Sequence, residues 1–339
     1  LASAGLLVYA RIARRLRRRI DEVTRLGQYR LVEKIGEGGM GKVYRARHDL
    51  LARDTAVKLL KPDVVTEDAI RRFEREVQLT ARLRHPNTIQ IYDFGRTTEG
   101  LFYYAMEYLD GYDLSRLIEL TGPLPPDRVV HILRQACRSL REAHGAGLIH
   151  RDIKPMNLIV CAFGGEYDLV KVLDFGLVKD VSVPDAGMTE LNVIPGTPPY
   201  IAPERMTPGA TVDGRVDIYA LGAVAFNLLT AAEVFDGETS LDVAHKALHE
   251  DPRRPSELEV QSIPEQLDEL VVRMLARDPD GRPPDVATVL AGLDRIAGTL
   301  PWDRARSAAW WADHPPEYPG STVDATSFRV MGAARSRHP

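Results

Sequence analysis

The spacing of apolar residues along this chain changes character once, near Asp110-Gly111, and that change constrains the fold more than any other feature. Before it, short strand-like stretches follow one another: 29–35 and 43–47 alternate, 55–60 is an apolar strand, and 88–94 and 101–108 read as two more. One helical stretch interrupts them, over 67–84, with Ile70, Phe73, Val77 and Leu83 at helical spacing and His85-Pro86-Asn87 as its stop. After it, the periods are helical. Residues 127–145 follow Pro125-Pro126 as a long amphipathic helix, and 216–230 is so nearly all apolar that it must be buried. Further helices are predicted over 240–249, 265–277 and 284–298. The pattern describes an α+β, two-lobed domain over 29–298, with a small β-rich lobe at about 29–107 and a mainly helical lobe at about 110–298.

Residues 299–339 form a C-terminal extension in which Pro, Ser and Arg rise and periodicity fades. Trp302, Trp310 and Trp311 are expected to pack back on the domain, a small peptide-binding surface being the alternative, with disorder past about Pro315. At the other end, residues 1–10 are apolar and Arg11, Arg14, Arg15, Arg17, Arg18 and Arg19 follow at once. Ten residues make only ~15 Å of helix, about half the hydrocarbon thickness. Three readings of 1–28 stay open: the cytoplasmic end of a membrane anchor in a longer product, an amphipathic basic helix on a surface, or an unstructured leader.

The 339 residues could hold one large domain or two to three small ones, and a 44% apolar, 27% charged composition is ordinary for a globular chain. A net charge of −4 gives no reason to expect nucleic-acid binding. Cys137 and Cys161 cannot make a disulfide framework and match no metal-ligand spacing, so a reducing cytoplasm is the expected home of the domain.

Six separated pieces carry chemistry: Gly36-Glu37-Gly38-Gly39-Met40-Gly41, Lys58, Glu76, His150-Arg151-Asp152, Asp174-Phe175-Gly176 and Ala202-Pro203-Glu204. A lone glycine loop would equally be a tight hairpin turn, and a lone aspartate a turn cap. In this order and spacing each piece supplies one part of a phosphoryl-transfer site. Over about 29–297 the chain resembles the eukaryotic-like serine/threonine protein kinases, most closely their bacterial branch.

The resemblance implies ATP and Mg2+ as cofactors, a protein carrying a Ser or Thr acceptor as substrate, and roles for particular residues. Gly36, Gly38 and Gly41 would let backbone N–H groups approach the phosphates. Lys58 would contact the α- and β-phosphates and be held by Glu76, with Glu74 the competing glutamate. Asp152 would accept the substrate proton and Lys154 would neutralise the transferred phosphate. Asn157 and Asp174 would bind magnesium. Around the adenosine, Met106 would be the gatekeeper, Glu107 and Leu109 the hinge partners, and Asp113 a ribose contact. Val43, Ala56 and Ile159 would sandwich the ring and Ile35 would also line the nucleotide site, although such side chains could equally be core.

The same resemblance implies control through the segment from Asp174 to Glu204. A phosphate there would give the Arg151 guanidinium a charged partner. Thr189 is the autophosphorylation candidate, with an ordinary exposed loop threonine as the alternative and Ser182 next in line. Thr197 would bond Asp152 and Lys154 in a substrate-docking loop. Glu204 and Arg282 would anchor the segment, and Asp217 would brace the catalytic loop. Two residues depart from the usual pattern. Met156 stands where kinases for basic substrates carry glutamate. Thr80, four residues beyond Glu76, replaces a large aliphatic side chain, a change that could tie activity to contacts within a homodimer. A kinase-like scaffold without transfer would lack one of the catalytic residues, and none is missing. Small-molecule phosphotransferases generally lack the Ala-Pro-Glu and Gly-Thr-x-x-Tyr elements present here.

Overall fold

The computed structural model describes residues 25–38, 41–60, 67–97, 100–175 and 198–316. The basic segment 1–24, Gly39, Met40, Gly176, Ser182, Thr189, Thr197 and the tail from 317 lie outside the described residues.

The N-terminal lobe is one antiparallel sheet. Strands β1 (Arg25–Leu26), β2 (Tyr29–Gly38), β3 (Gly41–His48), β4 (Asp54–Leu60), β5 (Ile91–Arg96) and β6 (Phe102–Glu107) stand in the order β1-β2-β3-β4-β6-β5. Helix α1 (Glu67–Thr80) is their one long helical companion. It stops four residues short of the sequence expectation. Arg82 and Leu83 N–H groups turn back onto Leu79 and Thr80 carbonyls, and the side chain of Glu142 takes the N–H groups of Arg84 and His85. A carboxylate from the other lobe thus captures the donors that would have extended the helix.

Two connections tie the lobes together. The first is the stretch after Glu107 that leads into β7 (Gly111–Asp113), which pairs with β8 (Leu158–Phe163), itself paired with β9 (Glu166–Val172), in a second antiparallel sheet. The second is the loop after α1. Asn87 Nδ2 donates to Gln135 Oε1 at 2.9 Å and Val170 O at 2.7 Å, and Thr88 Oγ1 meets Ser139 Oγ at 2.7 Å. The stretch 88–90 makes only an isolated bridge to Val172 before β5 begins. Sequence alternation overextended that strand because the backbone there bonds the C-terminal lobe instead.

The C-terminal lobe contains α2 (Leu114–Thr121), α3 (Pro126–Gly145), α4 (Arg215–Thr230), α5 (Ser240–His249), α6 (Glu265–Met274) and α7 (Val286–Thr299). Helix α4 is buried on nearly every side, as its uniformly apolar sequence requires. Its core runs from Leu114 through Leu140, Phe226 and Leu228 to Leu293, with no break between α3, α4 and α7. A further helix, α8 (Arg304–Asp313), lies against β9, with Trp311 buried in the same core. Its periodicity is weak because indoles and arginines do the docking, so hydropathy alone did not reveal it as a helix.

Candidate active site

Strands β3, β4 and β6 bring the first residues together by register. Val43 faces Lys58, and Lys58 faces Tyr104. Ile35, Val43, Ala56, Met106 and Leu109 share one apolar cluster under the glycine loop. That cluster places five of the residues expected around the adenosine side by side. Ile159 is half-buried on β8, paired with Asp113 of β7. Gly36 and Gly38 have room for a Cβ, whereas a Cβ on Gly41 would collide with the Leu59 carbonyl oxygen. Gly41 is therefore demanded by the close approach of β3 to β4, a reason separate from phosphate access.

The cation–carboxylate pairing differs from the expected one. Lys58 Nζ pairs with Asp174 Oδ2 at 2.5 Å, and among the described residues no ion pair joins Lys58 to Glu76. Tyr104 donates its hydroxyl to the other oxygen, Oδ1, also at 2.5 Å. Burial alone would raise the Asp174 pKa, but the Lys58 charge and the hydrogen bonds from Lys58 and Tyr104 outweigh it and hold the carboxyl below its ordinary range. Burial, with Asp174 alongside, pushes the Tyr104 phenol well up, so it stays a donor. Tyr104 was not foreseen from sequence. Its signal was present in the alternation of β6, two residues before Met106.

The catalytic loop is held from beneath. Asp217, fully buried on α4, accepts from the His150 and Arg151 N–H groups at 2.8 and 2.7 Å and from His144 Nε2 at 2.8 Å. Burial pushes its pKa up, yet the His144 hydrogen bond and the neighbouring imidazoles hold it below the usual value. Arg151 and Asp174 adopt left-handed backbone, φ 62° and 50°, which these contacts stabilise. His150 accepts from the Asp152 N–H at Nδ1 and bonds the Leu173 carbonyl at Nε2, and its ring lies 4.7 Å from that of Phe175. The loop carrying Asp152 and the strand end carrying Asp174 are thus locked to each other.

Above this brace Asp152, Lys154 and Asn157 converge. Asp152 Oδ2 is 3.2 Å from Lys154 Nζ and 3.1 Å from Asn157 Nδ2, which also donates to the Asp152 carbonyl at 2.7 Å. Asp113 also serves the backbone: its Oδ1 caps α2 by accepting from Arg116 N at 3.0 Å. Glu107 accepts from Lys171 Nζ at 2.7 Å and from Gln90 N at 2.8 Å, which fixes the start of the hinge. Met156 is 60% exposed, so no acidic side chain approaches substrate from that place.

The donor set suits a hard cation. Asp174 offers a carboxylate and Asn157 an amide oxygen, and among the described residues no group of three or more His, Cys, Asp or Glu could hold a metal alone. Magnesium characteristically takes one or two protein oxygens and completes its shell from phosphates and water. Below the loop, Arg282 and Glu204 make a two-pronged ion pair at 2.6 and 2.8 Å, both buried.

Comparison with known proteins gives the arrangement its place. The protein kinase domain family matches residues 29–291. The chain is 38% identical over 273 residues to the serine/threonine-protein kinase pkn3 of Myxococcus xanthus, covering 79% of this chain and 50% of that protein. It is 34% identical over 311 residues to PknB of Mycobacterium tuberculosis, covering 91% of this chain and 46% of that protein. The chain thus spans about half the length of the curated relatives it matches. Among solved structures, the Mycobacterium tuberculosis PknI kinase domain superposes with a TM-score of 0.62 at 28% identity, covering 81% of this chain and 97% of that one. Rad53 in complex with AMP-PNP superposes at 0.64 with 24% identity, a likeness of fold alone, over 78% of this chain and 64% of that one. The chain belongs to the protein kinase domain family, on its bacterial, eukaryotic-like serine/threonine branch.

Proposed function

We propose that the chain transfers the γ-phosphoryl group of Mg-ATP to Ser and Thr hydroxyls of a protein substrate. One observation supports this above the rest: Asp152 lies 3.2 Å from Lys154 Nζ and 3.1 Å from Asn157 Nδ2 in a loop braced by Asp217, and His150 of that loop bonds the Leu173 carbonyl next to Asp174, the partner of Lys58. Asp152 accepts the proton of the acceptor hydroxyl. Lys154, beside it, meets the negative charge that gathers on the transferred group. Asn157 commits its amide N–H groups to Asp152, which leaves its Oδ1 for a cation, and Asp174 offers an ionised carboxylate. Bound magnesium supplies charge neutralisation on the phosphates. Lys58 pairs with Asp174, and Glu76 on α1 is the partner to which it turns when phosphates occupy the cleft. Two further parts of the reading rest on the sequence: Arg151, beside Asp152, gives a charged partner to a phosphate placed on Thr189 by a second copy of the chain, and the apolar stretch 1–10 with the six arginines after it associates 1–28 with a membrane.

Labelled Mg-ATP and a generic protein substrate test the reading. Label is expected on Ser and Thr and not on Tyr, with phosphate at Thr189 in the native chain and absent from Asp174→Ala. Label on Tyr alone, or none, overturns the transferase reading; transfer unaffected by Thr189→Ala overturns the switch alone.

A further inference from the structure

All three tryptophans of the chain, Trp302, Trp310 and Trp311, lie in or beside α8, beyond the residues that the family matches. They converge on one buried ion pair. Asp168 on β9 is 0% exposed, and its carboxylate accepts from Arg128 Nη2 at 2.8 Å, Trp302 Nε1 at 2.7 Å, Trp311 Nε1 at 2.9 Å and Ser307 Oγ at 3.1 Å. Arg128, 1% exposed, lies with its guanidinium 4.1 Å from the Trp310 ring centre and 5.3 Å from that of Trp302. Asp168 also takes a left-handed backbone, φ 54°. A desolvated carboxylate of this kind is tolerated only when its oxygens are well supplied with donors, while the Arg128 guanidinium, whose Nε has no hydrogen-bond partner, leans on the indole faces. Three of the four donors to the Asp168 carboxylate come from residues 302–311.

The same helix touches a lobe connection. Tyr112, the middle residue of β7, packs its ring 5.9 Å from Trp311 in a stacked arrangement and 6.0 Å from Trp310 edge-on, and donates its hydroxyl to the Pro315 carbonyl at 2.9 Å. On either side of Tyr112 in β7 are Gly111, where a Cβ would strike the Val160 carbonyl oxygen, and Asp113, paired with Ile159. A second route leads to the other connection: the Asp168 carbonyl accepts from Gln135 Nε2 at 2.8 Å, and Gln135 Oε1 accepts from Asn87 Nδ2 at 2.9 Å.

We propose that α8 is a positioning element of the nucleotide cleft, setting β7 through Tyr112 so that loss of the indole contact weakens nucleotide binding at a distance. The inference rests on the nucleotide-site reading above. Tyr112 and Trp311 are positioning residues and touch no reacting atom.

The test is Mg-ADP binding by calorimetry on the full chain. Trp311→Ala and Tyr112→Ala are each expected to weaken binding by about 5-fold or more, the low end of ordinary coupling between sites. Tyr112→Phe, which keeps the stacked ring, is expected to stay within about twofold, and the double alanine variant to be no weaker than the worse single one, since both remove one contact. Coupling is reciprocal, so saturating Mg-ADP must slow amide exchange over 304–313 in the native chain. That measurement needs no variant and decides the matter if Trp311→Ala fails to fold. Native binding that Trp311→Ala and Tyr112→Ala leave within about twofold, or exchange in α8 that ignores Mg-ADP, overturns the positioning role and leaves α8 a stabilising patch. A native chain that does not bind Mg-ADP overturns the nucleotide reading itself, and the positioning role with it.

Discussion

Two carboxylates of the catalytic loop region, one partly buried and one sealed, carry different tasks because their surroundings differ. Asp152 sits between Lys154 and Asn157, where a proton can be accepted. Asp217 is sealed beneath the loop and spends both oxygens on the His150 and Arg151 N–H groups. Asp152→Asn removes the proton acceptor and little else, so nucleotide binding should persist while turnover falls on the order of 10²-fold or more. Calorimetry beside steady-state rates checks this; equal loss of both would make Asp152 a structural residue. For Asp217 the consequence is a pH dependence. Its folded pKa lies below the ordinary 3.8, so its contribution is present above that value and is lost as pH falls through the folded pKa. The denaturant midpoint of the native chain should therefore drop steeply below about pH 4, and Asp217→Asn, weaker at neutral pH, should show a shallower acid decline. Both aspartates were legible as residues. The Lys58–Asp174 pairing and the Tyr104 hydroxyl were not, because they depend on how far β6 and the segment after β9 are pressed together.

At the scale of elements, helix α1 carries an oddity that sequence flagged and structure sharpened. Thr80 is 1% exposed and its Oγ1 has no hydrogen-bond partner. A buried hydroxyl without a partner costs about 1–3 kcal/mol. Thr80→Val keeps the shape and removes the hydroxyl, so stability should rise by roughly 1 kcal/mol, read from denaturant unfolding; a fall would mean that the hydroxyl finds a partner in solution. The bounds of elements were legible where one face is plainly buried, as in α4 and β4. They were misjudged where the other lobe takes over the backbone bonds, as Glu142 does at Arg84 and His85. Strands β7 to β9 escaped the period analysis altogether, since short strands between helices leave too few residues to show a period.

On the scale of the whole molecule, the Glu204–Arg282 pair joins the end of the segment that follows Asp174 to the turn before α7. Arg282 also donates to the Ala276, Arg215 and Arg277 carbonyls, and its guanidinium lies 4.9 Å from the Tyr219 ring centre. Glu204→Ala strands a buried guanidinium, and a loss of about 3–5 kcal/mol is expected, measured as a shift in denaturant midpoint. A change under about 1 kcal/mol, the worth of an exposed pair, would show that the site opens to water. By itself the sequence determined the two lobes, the order of the chemistry-bearing residues along the chain and the membership of the family, because hydrophobic period and motif spacing are local properties. Only the tertiary structure decided which cation meets Asp174, why Gly41 has no side chain, and that Arg128, Asp168 and three tryptophans form one buried assembly. Those outcomes depend on contacts between residues well separated along the chain, 40 positions for Arg128–Asp168 and 116 for Lys58–Asp174, whose desolvation and geometry no local pattern encodes.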